Sequence, residues 1–220
     1  MSALSPTILP FLKDLKANNN REWFEANKST YRTAHADMAA FMDDLLEEMR
    51  KIDLIENESG KKSLFRIYRD VRFSKDKSPY KTNFAGHIKR ATSALRGGYY
   101  LQVEPENIFI AAGFFMPESA DLKRIREAIA SDDKPLRSIL DNPDFSSIWG
   151  TFDGERVKTA PKGFSKDHPA IDLIRFKQFH LSHTYTEKEA LDESFSQHIA
   201  HHFLVIRPYF DYMSEILTAE

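Results

Sequence analysis

The chain has 220 residues, of which 41% are hydrophobic and 29% are charged, and its formal net charge is −2. A core of ordinary size is therefore available, whereas the near-neutral charge argues against a protein that coats nucleic acid through bulk charge. The absence of cysteine excludes disulfides, thiolate metal ligands and cysteine nucleophiles. No apolar run reaches membrane-spanning length and residues 1–15 lack a signal-peptide pattern, so we expect a cytoplasmic protein with no membrane partner.

The first quarter of the chain predicts helices. Apolar residues recur at helical spacing over 8–15, with Thr7 as a candidate cap, and the asparagines at 18–20 end this helix and can cap the next. A longer apolar stripe runs over 23–49, with a division expected at 27–30. The acids on its opposite face predict a solvated surface; they are Asp37, Asp43, Asp44, Glu47 and Glu48.

The middle of the chain predicts strands, because apolar and polar residues alternate over its first three candidate strands and the fourth is a continuous apolar run. The candidate strands are 64–73, 84–89, 99–103 and 108–115. The short connection at 105–107 predicts a hairpin between the last two, and short connections favour antiparallel pairing.

The last half returns to helical patterns, interrupted by a loop-rich stretch over 152–166 and a candidate strand over 176–183. Asp133 can cap a helix, and Thr186 and Glu189 form a capping-box pattern that opens the final helix with Leu191 on its apolar face. Pro208 should kink this helix or begin a new one. We therefore predict one α+β domain over 1–220. Its antiparallel sheet, formed by about residues 64–115 with 176–183 as a candidate addition, is packed by helices from both ends.

Positive charge is concentrated in one segment of this otherwise neutral chain. Residues 61–90 contain ten Lys and Arg but only two acids, Asp70 and Asp76. Such an excess indicates an anion site or a network of ion pairs.

Alternation along the predicted strand over 65–73 assigns its side chains to two faces, and the apolar, inward face is formed by Phe65, Ile67, Val71 and Phe73. Arg69 falls on the apolar face and should be partly buried, so it needs a carboxylate partner, for which the acidic helix over 37–48 is a candidate. Arg66, Asp70 and Arg72 share the other face.

The turn after this strand adds further residues that suit an anion. Lys77 and Lys81 supply point charges, and Tyr80 supplies a ring or a hydroxyl. Arginine forks bind phosphate or carboxylate with two hydrogen bonds. One interpretation is thus a ligand pocket formed by Arg66, Asp70, Arg72, Lys77, Tyr80 and Lys81; the other is an internal network of arginine and aspartate.

Other chemistry is less strongly indicated. His198 and His202 are one helical turn apart, but Ile199 follows the first of them where a metalloprotease helix carries glutamate. His180, His183 and His201 are further candidates, and surface histidines are the competing interpretation, so we assign no metal site. No Gly-x-Ser-x-Gly pattern is present, and basic neighbours should keep Asp70 and Asp76 ionised.

Several motifs together resemble one protein family. They are Asn-Asn-Asn-Arg-Glu-Trp-Phe at 18–24, the Phe-Arg-Ile-Tyr-Arg-Asp-x-Arg-Phe-Ser-x-Asp-Lys-x-Pro-Tyr-Lys string at 65–81, Gly-Gly-Tyr-Tyr at 97–100, and Gly113. The chain is similar, over about residues 9–210, to the domain-of-unknown-function family 2461 of bacterial and fungal proteins. This resemblance implies a single stand-alone domain and supplies no activity, cofactor or catalytic residue.

The sequence leads to two functional hypotheses. The first is binding of a small anionic ligand, phosphorylated or carboxylate, at the basic strand and turn, with the question of catalysis left open. The second is a non-enzymatic module whose basic turn docks an acidic protein partner or nucleic acid. A concave pocket favours the first hypothesis, and a flat basic face favours the second.

Overall fold

The computed structural model describes residues 2–219 and confirms an α+β fold with a four-stranded antiparallel sheet. Within these residues, the helices are α1 Ile8–Ala17, α2 Arg21–Ala26, α3 Lys28–Arg50, α4 Gly60–Ser63, α5 Ser119–Ser131, α6 Lys134–Leu140, α7 Pro143–Trp149, α8 Ile171–Ile174, α9 Glu187–Ala190, α10 Phe195–Val205 and α11 Arg207–Thr218. The strands are β1 Phe84–Lys89, β2 Gly98–Val103, β3 Ile108–Phe114 and β4 Phe179–Tyr185.

The sheet has the order β1-β2-β3-β4, so strands that follow one another along the chain are neighbours. In β2 and β3 every second residue is buried and the residues between are only half-buried. This period of two places the core on one face of the sheet and leaves the other face partly open.

The expected strands over 84–89, 99–103 and 108–115 are confirmed as β1 to β3, and the candidate over 176–183 corresponds to β4. The sheet does not begin at residue 64, however. Leu64 and Tyr68 form only isolated bridges, to Gly86 and Tyr80 respectively. The segment over 64–73 is therefore not a strand, and that prediction is wrong.

The described residues form two compact units, and the single-domain organisation stays a prediction. The first unit contains the chain up to Ile88 together with Tyr100–Ile110 and Thr184–His201. Helix α3 packs on α1, α2 and α4. Phe11 of α1 and Phe24 of α2 are buried, and their rings approach that of Tyr31 of α3 at centroid distances of 5.8 and 5.0 Å.

The second unit contains Lys89–Tyr99, Ala111–His183 and the chain from His202 onwards. Helix α11 packs on α5 and α6, and α8 packs on α5. Tyr99 packs against Phe210 with centroids 5.1 Å apart. The buried Arg90 lies over the Phe210 ring and donates a 2.9 Å hydrogen bond to the carbonyl of Arg96.

Several local predictions can now be compared with the structure. Asn20 caps α2 through the Trp23 N–H, and the capping box of Thr186 and Glu189 is present, although it opens only the short α9. Pro208 begins α11, which is one of the two expected outcomes. Thr7 instead donates its hydroxyl to the Asp37 carboxylate and caps nothing.

Two further expectations differ in detail. Asp133 accepts from the Arg137 guanidinium and makes no side-chain cap to α6, because an arginine four residues on competes for its carboxylate. Leu191 is largely exposed, since the helix that should have buried it ends at Ala190. No helix over residues 2–219 is both long and apolar enough to cross a membrane.

Candidate functional site

The segment over 65–81 folds back on itself as a loop. The Phe65 N–H donates to the carbonyl of Ala85 at 2.8 Å, and the Lys81 N–H donates to the carbonyl of Ile67 at 2.7 Å. Arg69 N–H donates to the Pro79 carbonyl at 2.9 Å, after which the pairing stops. Proline cannot return a hydrogen bond, and aspartates that bond locally compete with a ladder, so no regular strand forms here.

Because no strand forms, the predicted two-faced pattern is only partly realised. Ile67 is buried as expected, but Phe65 is 41% exposed and Phe73 is 96% exposed. The expectation that these two rings face inward with Ile67 is therefore wrong.

The partly buried Arg69 has a different carboxylate from the one expected. Its guanidinium forms an ion pair with Asp76 and donates to the Ser78 carbonyl at 3.3 Å, rather than reaching the acidic face of α3. The partner thus lies seven residues ahead in the same loop, and the loop closes its own ion pair.

Asp76 organises the turn that follows. Its carboxylate accepts from the Ser78 hydroxyl at 2.6 Å and from the Ser78 N–H at 2.9 Å, as well as from Arg69. These hydrogen bonds, led by those from Ser78, hold the pKa of Asp76 well below its ordinary value. Asp76 is therefore an ionised structural anchor for the turn.

Three predicted site residues lie at the exposed end of this loop and hold it together. Arg72 donates from Nε and Nη2 to the Asp70 carboxylate, at 3.0 and 2.7 Å, which lowers the pKa of Asp70. Lys77 donates to the carbonyl of Val71 at 2.9 Å. Asp70 and Arg72 largely neutralise one another, and Lys77 is engaged with the backbone.

Tyr80 is buried, with 4% of its surface exposed. Its ring stacks on that of Phe24 with centroids 3.9 Å apart and planes at 14°. Burial raises the pKa of the Tyr80 phenol, so the hydroxyl stays neutral at physiological pH. Tyr80 therefore contributes packing as well as part of a cavity wall.

A cavity of about 360 Å³ lies between the end of α1 and this loop. Its walls are predominantly polar; they are formed by Lys16, Asn19, Arg69, Asp76, Ser78, Tyr80, Lys81, Thr82 and Asn83. The volume falls within the range of small-molecule sites. Arg69 and Asp76 balance one another, so the lysines set the sign of the charge in the cavity.

Lys81 is the most unusual cation of the cavity. Its ammonium lies 5.4 Å from the centroid of the Phe65 ring. Burial, with a smaller contribution from the charge of Arg66, lowers the pKa of Lys81. Across residues 2–219, no ion pair joins Lys16, Arg66 or Lys81 to a carboxylate, and the charge of Arg66 acts on Asp70 only as a minor cause of its lowered pKa.

The structure thus divides the predicted site. Tyr80 and Lys81 line the cavity and Arg66 lies close enough to influence Lys81, whereas Asp70, Arg72 and Lys77 are outside the cavity walls. Four cavity residues were not identified from the sequence: Lys16, Asn19, Thr82 and Asn83. The sequence contained one signal for Asn19. Ending α1 and capping α2 require only two of the three consecutive asparagines, which leaves the third for another role.

The histidines do not assemble into a metal centre. In the second unit, the rings of His183 and His202 lie 4.5 Å apart, and His183 Nδ1 bonds to the Ile148 carbonyl. In the first unit, Nε2 of His198 bonds to the Ser194 hydroxyl. Among the described residues, no three metal-ligating side chains group closely enough to hold an ion.

Comparison with known proteins places the chain in a family but supplies no activity. Residues 7–212 match the family described as "Conserved hypothetical protein (DUF2461)", and the chain belongs to this family. No curated protein and no solved structure matches the chain.

Proposed function

We propose that the protein binds a small anionic ligand, carrying a phosphate or carboxylate, in the cavity beside the basic loop. The observation that carries this proposal is the set of Lys16, Arg66 and Lys81, none of which forms an ion pair with a carboxylate of residues 2–219. Lys16 and Lys81 line the cavity itself. A bound anion would supply the missing negative charge in a partly enclosed site, where an ion pair is stronger than at a fully exposed surface.

The surroundings of the lysines support this interpretation. Among the described residues, the only carboxylate in the cavity wall is that of Asp76, which is already engaged by Arg69 and Ser78 and leaves the lysines unpaired. The Asn83 amide adds a neutral group able to donate to an oxyanion, whereas the Thr82 hydroxyl already donates to Glu104 at 2.6 Å. In this proposal Asp70, Arg72 and Lys77 shape the loop, and Tyr80 fixes it to α2 through Phe24.

Titration with inorganic phosphate tests the proposal directly. We expect phosphate to raise the melting temperature of the full chain above that in chloride at the same ionic strength, because binding to the folded state alone stabilises it. A Lys16→Met/Lys81→Met variant should lose this stabilisation. Lys75→Met is the matched control, since Lys75 is an exposed lysine of the same loop that lines no part of the cavity. Equal responses of the two variants, or no phosphate response, would contradict the proposal.

A second candidate function rests on Phe73, the most exposed large hydrophobic residue described. The Arg72 guanidinium lies 5.9 Å from the centroid of its ring, and Lys75 follows two residues later. We propose, as the alternative, that this loop tip docks an acidic protein segment containing an apolar anchor. Acidic peptides with and without one leucine are suitable probes. Binding that requires the leucine and is lost in Phe73→Ser supports docking, and binding unaffected by Phe73→Ser rejects it.

A further inference from the structure

The open side of the sheet carries a row of aromatic rings that begins at the proposed anion site. Phe65 lies parallel to His87, with centroids 5.4 Å apart and planes at 9°. Its ring also lies 6.4 Å from that of Tyr100, which in turn lies 5.7 Å from that of Phe109. The row therefore extends from the loop across β1, β2 and β3.

Lys81 joins this aromatic row to the cavity. Its side chain lines the cavity while its ammonium lies 5.4 Å from the centroid of Phe65. A second connection runs through hydrogen bonds: Tyr100 donates to Gln102, Gln102 donates to Glu104, and Glu104 accepts from Thr82 in the cavity wall. Cations that form no ion pair with a carboxylate and an aromatic surface thus adjoin each other in one compact unit.

Phe65 is the member of the row that is available to a ligand. It is 41% exposed, whereas the side chains of His87, Tyr100 and Phe109 are less exposed. Phe65 thus presents part of an aromatic ring beside a lysine that forms no ion pair with a carboxylate. An aromatic ligand group that stacks on this exposed part would bury further apolar surface.

We propose that the ligand of this site is a nucleotide, with its phosphate at Lys16 and Lys81 and its base stacked on the exposed part of the Phe65 ring. This inference rests on the proposed anion-binding function and names the class of anion. Every base has an apolar face that stacks on an aromatic side chain, and alanine substitutions of such rings lower affinity by roughly 5- to 150-fold per base. A sugar phosphate without a base would leave Phe65 unused.

Phe65 is not among the walls of the cavity of about 360 Å³, so the cavity takes the phosphate and Lys81 connects it to the ring that takes the base. The net charge of −2 gives no general attraction for nucleic acid, which favours a small ligand over a duplex. The same chemistry is present in a free mononucleotide and in the terminal nucleotide of a single strand, so the experiment must distinguish these sources.

Calorimetric titration of the full chain with three small probes separates the two parts of the ligand. The probes are adenosine monophosphate, ribose 5-phosphate without the base, and adenosine without the phosphate. We expect adenosine monophosphate to bind at least about tenfold more tightly than ribose 5-phosphate, with adenosine weaker than either. A 5′-phosphorylated oligoadenylate is the fourth probe: an affinity equal to that of the mononucleotide indicates the free nucleotide, and a much higher affinity indicates a strand end.

Phe65→Leu is the decisive variant, and Phe73→Leu is its matched control in the same loop. We expect Phe65→Leu to remove the advantage of adenosine monophosphate while leaving ribose 5-phosphate affinity within about twofold, and Phe73→Leu to change neither. Circular dichroism melting of each variant verifies folding. Equal affinities for adenosine monophosphate and ribose 5-phosphate, both insensitive to Phe65→Leu, would overturn the nucleotide inference and leave the anion-binding proposal intact. Absence of binding by both phosphates would overturn the two together.

Discussion

The side-chain amide of Asn19 bonds to both backbone polar groups of Tyr80. Its Nδ2 donates to the Tyr80 carbonyl at 3.0 Å, and its Oδ1 accepts from the Tyr80 N–H at 3.2 Å. Asn19, two residues beyond the end of α1, thereby connects this helix to the end of the basic loop. This pairing brings Lys16, on the last turn of α1, to the same cavity as Lys81.

Asn19→Ala should consequently affect stability and ligand binding together. Two partly buried hydrogen bonds are lost and two backbone groups lose their partner, which predicts a decrease in unfolding free energy of about 1–2 kcal/mol. Phosphate affinity should fall as well, because Lys16 and Lys81 are no longer held at one cavity. Urea unfolding and phosphate titration measure the two effects. Asn18→Ala is the control, and equal losses in both variants would contradict this role of Asn19.

The elements that the sequence predicted are those whose pattern is local. β2 alternates regularly, β1 alternates only over residues 86–89, and β3 is a continuous apolar run, so a short window of sequence is sufficient to identify each of them. The segment over 65–73 alternates too, yet it forms no strand. Asp70 bonds to Arg72 and Asp76 bonds to Ser78, each two residues away, and such local hydrogen bonds compete with pairing to a neighbouring strand.

The candidate site was only partly predictable for a related reason. Lys81 and Tyr80 belong to the charged segment and were found through its composition. Lys16 lies 65 positions before Lys81 on an exposed helix face, where a lysine has no local signal of function. Only the fold of α1 against the loop brings these two residues to one cavity, and a single sequence contains no measure of that contact.

The packing of α4 on α3 predicts that Gly60 tolerates no side chain. A Cβ at this position would lie 2.1 Å from the Ala39 carbonyl oxygen and 2.6 Å from the Asp43 backbone nitrogen. Both are backbone atoms of α3, so the helices must separate, and the 2.6 Å hydrogen bond from the Gly60 N–H to the Asp43 carboxylate would be strained. Gly60→Ala should lower the unfolding free energy by about 2–3 kcal/mol. Lys61→Ala, at an exposed position on the same short helix, is the control and should change the unfolding free energy by less than about 0.5 kcal/mol. An equally small change in Gly60→Ala would contradict the packing argument.

The two parts of Tyr80 should differ in importance. The ring is stacked on Phe24 and buried, so Tyr80→Ala should lower the unfolding free energy by about 3 kcal/mol. Tyr80→Phe retains the ring and should change stability by less than about 0.5 kcal/mol. Phosphate titration of Tyr80→Phe then asks whether the hydroxyl contacts the ligand. Unchanged affinity is expected, because the residues whose charges most affect the pKa of the phenol, Tyr68 and Glu25, do not line the cavity.

The contribution of Asp76 to stability should depend on pH in a defined direction. The pKa of Asp76 in the folded protein lies well below its value of about 3.9 in an unfolded chain, because Ser78 and Arg69 bond to the ionised form. The stabilisation is therefore complete above about pH 4 and is lost as pH falls through the folded-state pKa. Asp76→Asn, which has nearly the same shape, should melt at a lower temperature than the wild type at pH 7. The difference should shrink below about pH 4; a difference that is constant between about pH 2 and pH 7 would show that the charge is unimportant.

Lys81 should make anion affinity depend on pH at values where an ordinary lysine does not titrate. Burial and the neighbouring Arg66 lower the pKa of Lys81, so it loses its proton at a lower pH than a free lysine does. Sulfate is the suitable probe, because it remains a dianion throughout. Asp76 stays ionised over about pH 7 to pH 10, and the raised pKa of Tyr80 keeps that phenol neutral over most of this range. Sulfate affinity should therefore fall as pH rises through this window.

In Lys81→Arg, which retains Lys16 and keeps its own proton, the decrease should be much smaller. Parallel pH profiles for the wild type and Lys81→Arg would assign the titration to another group and remove Lys81 from the site.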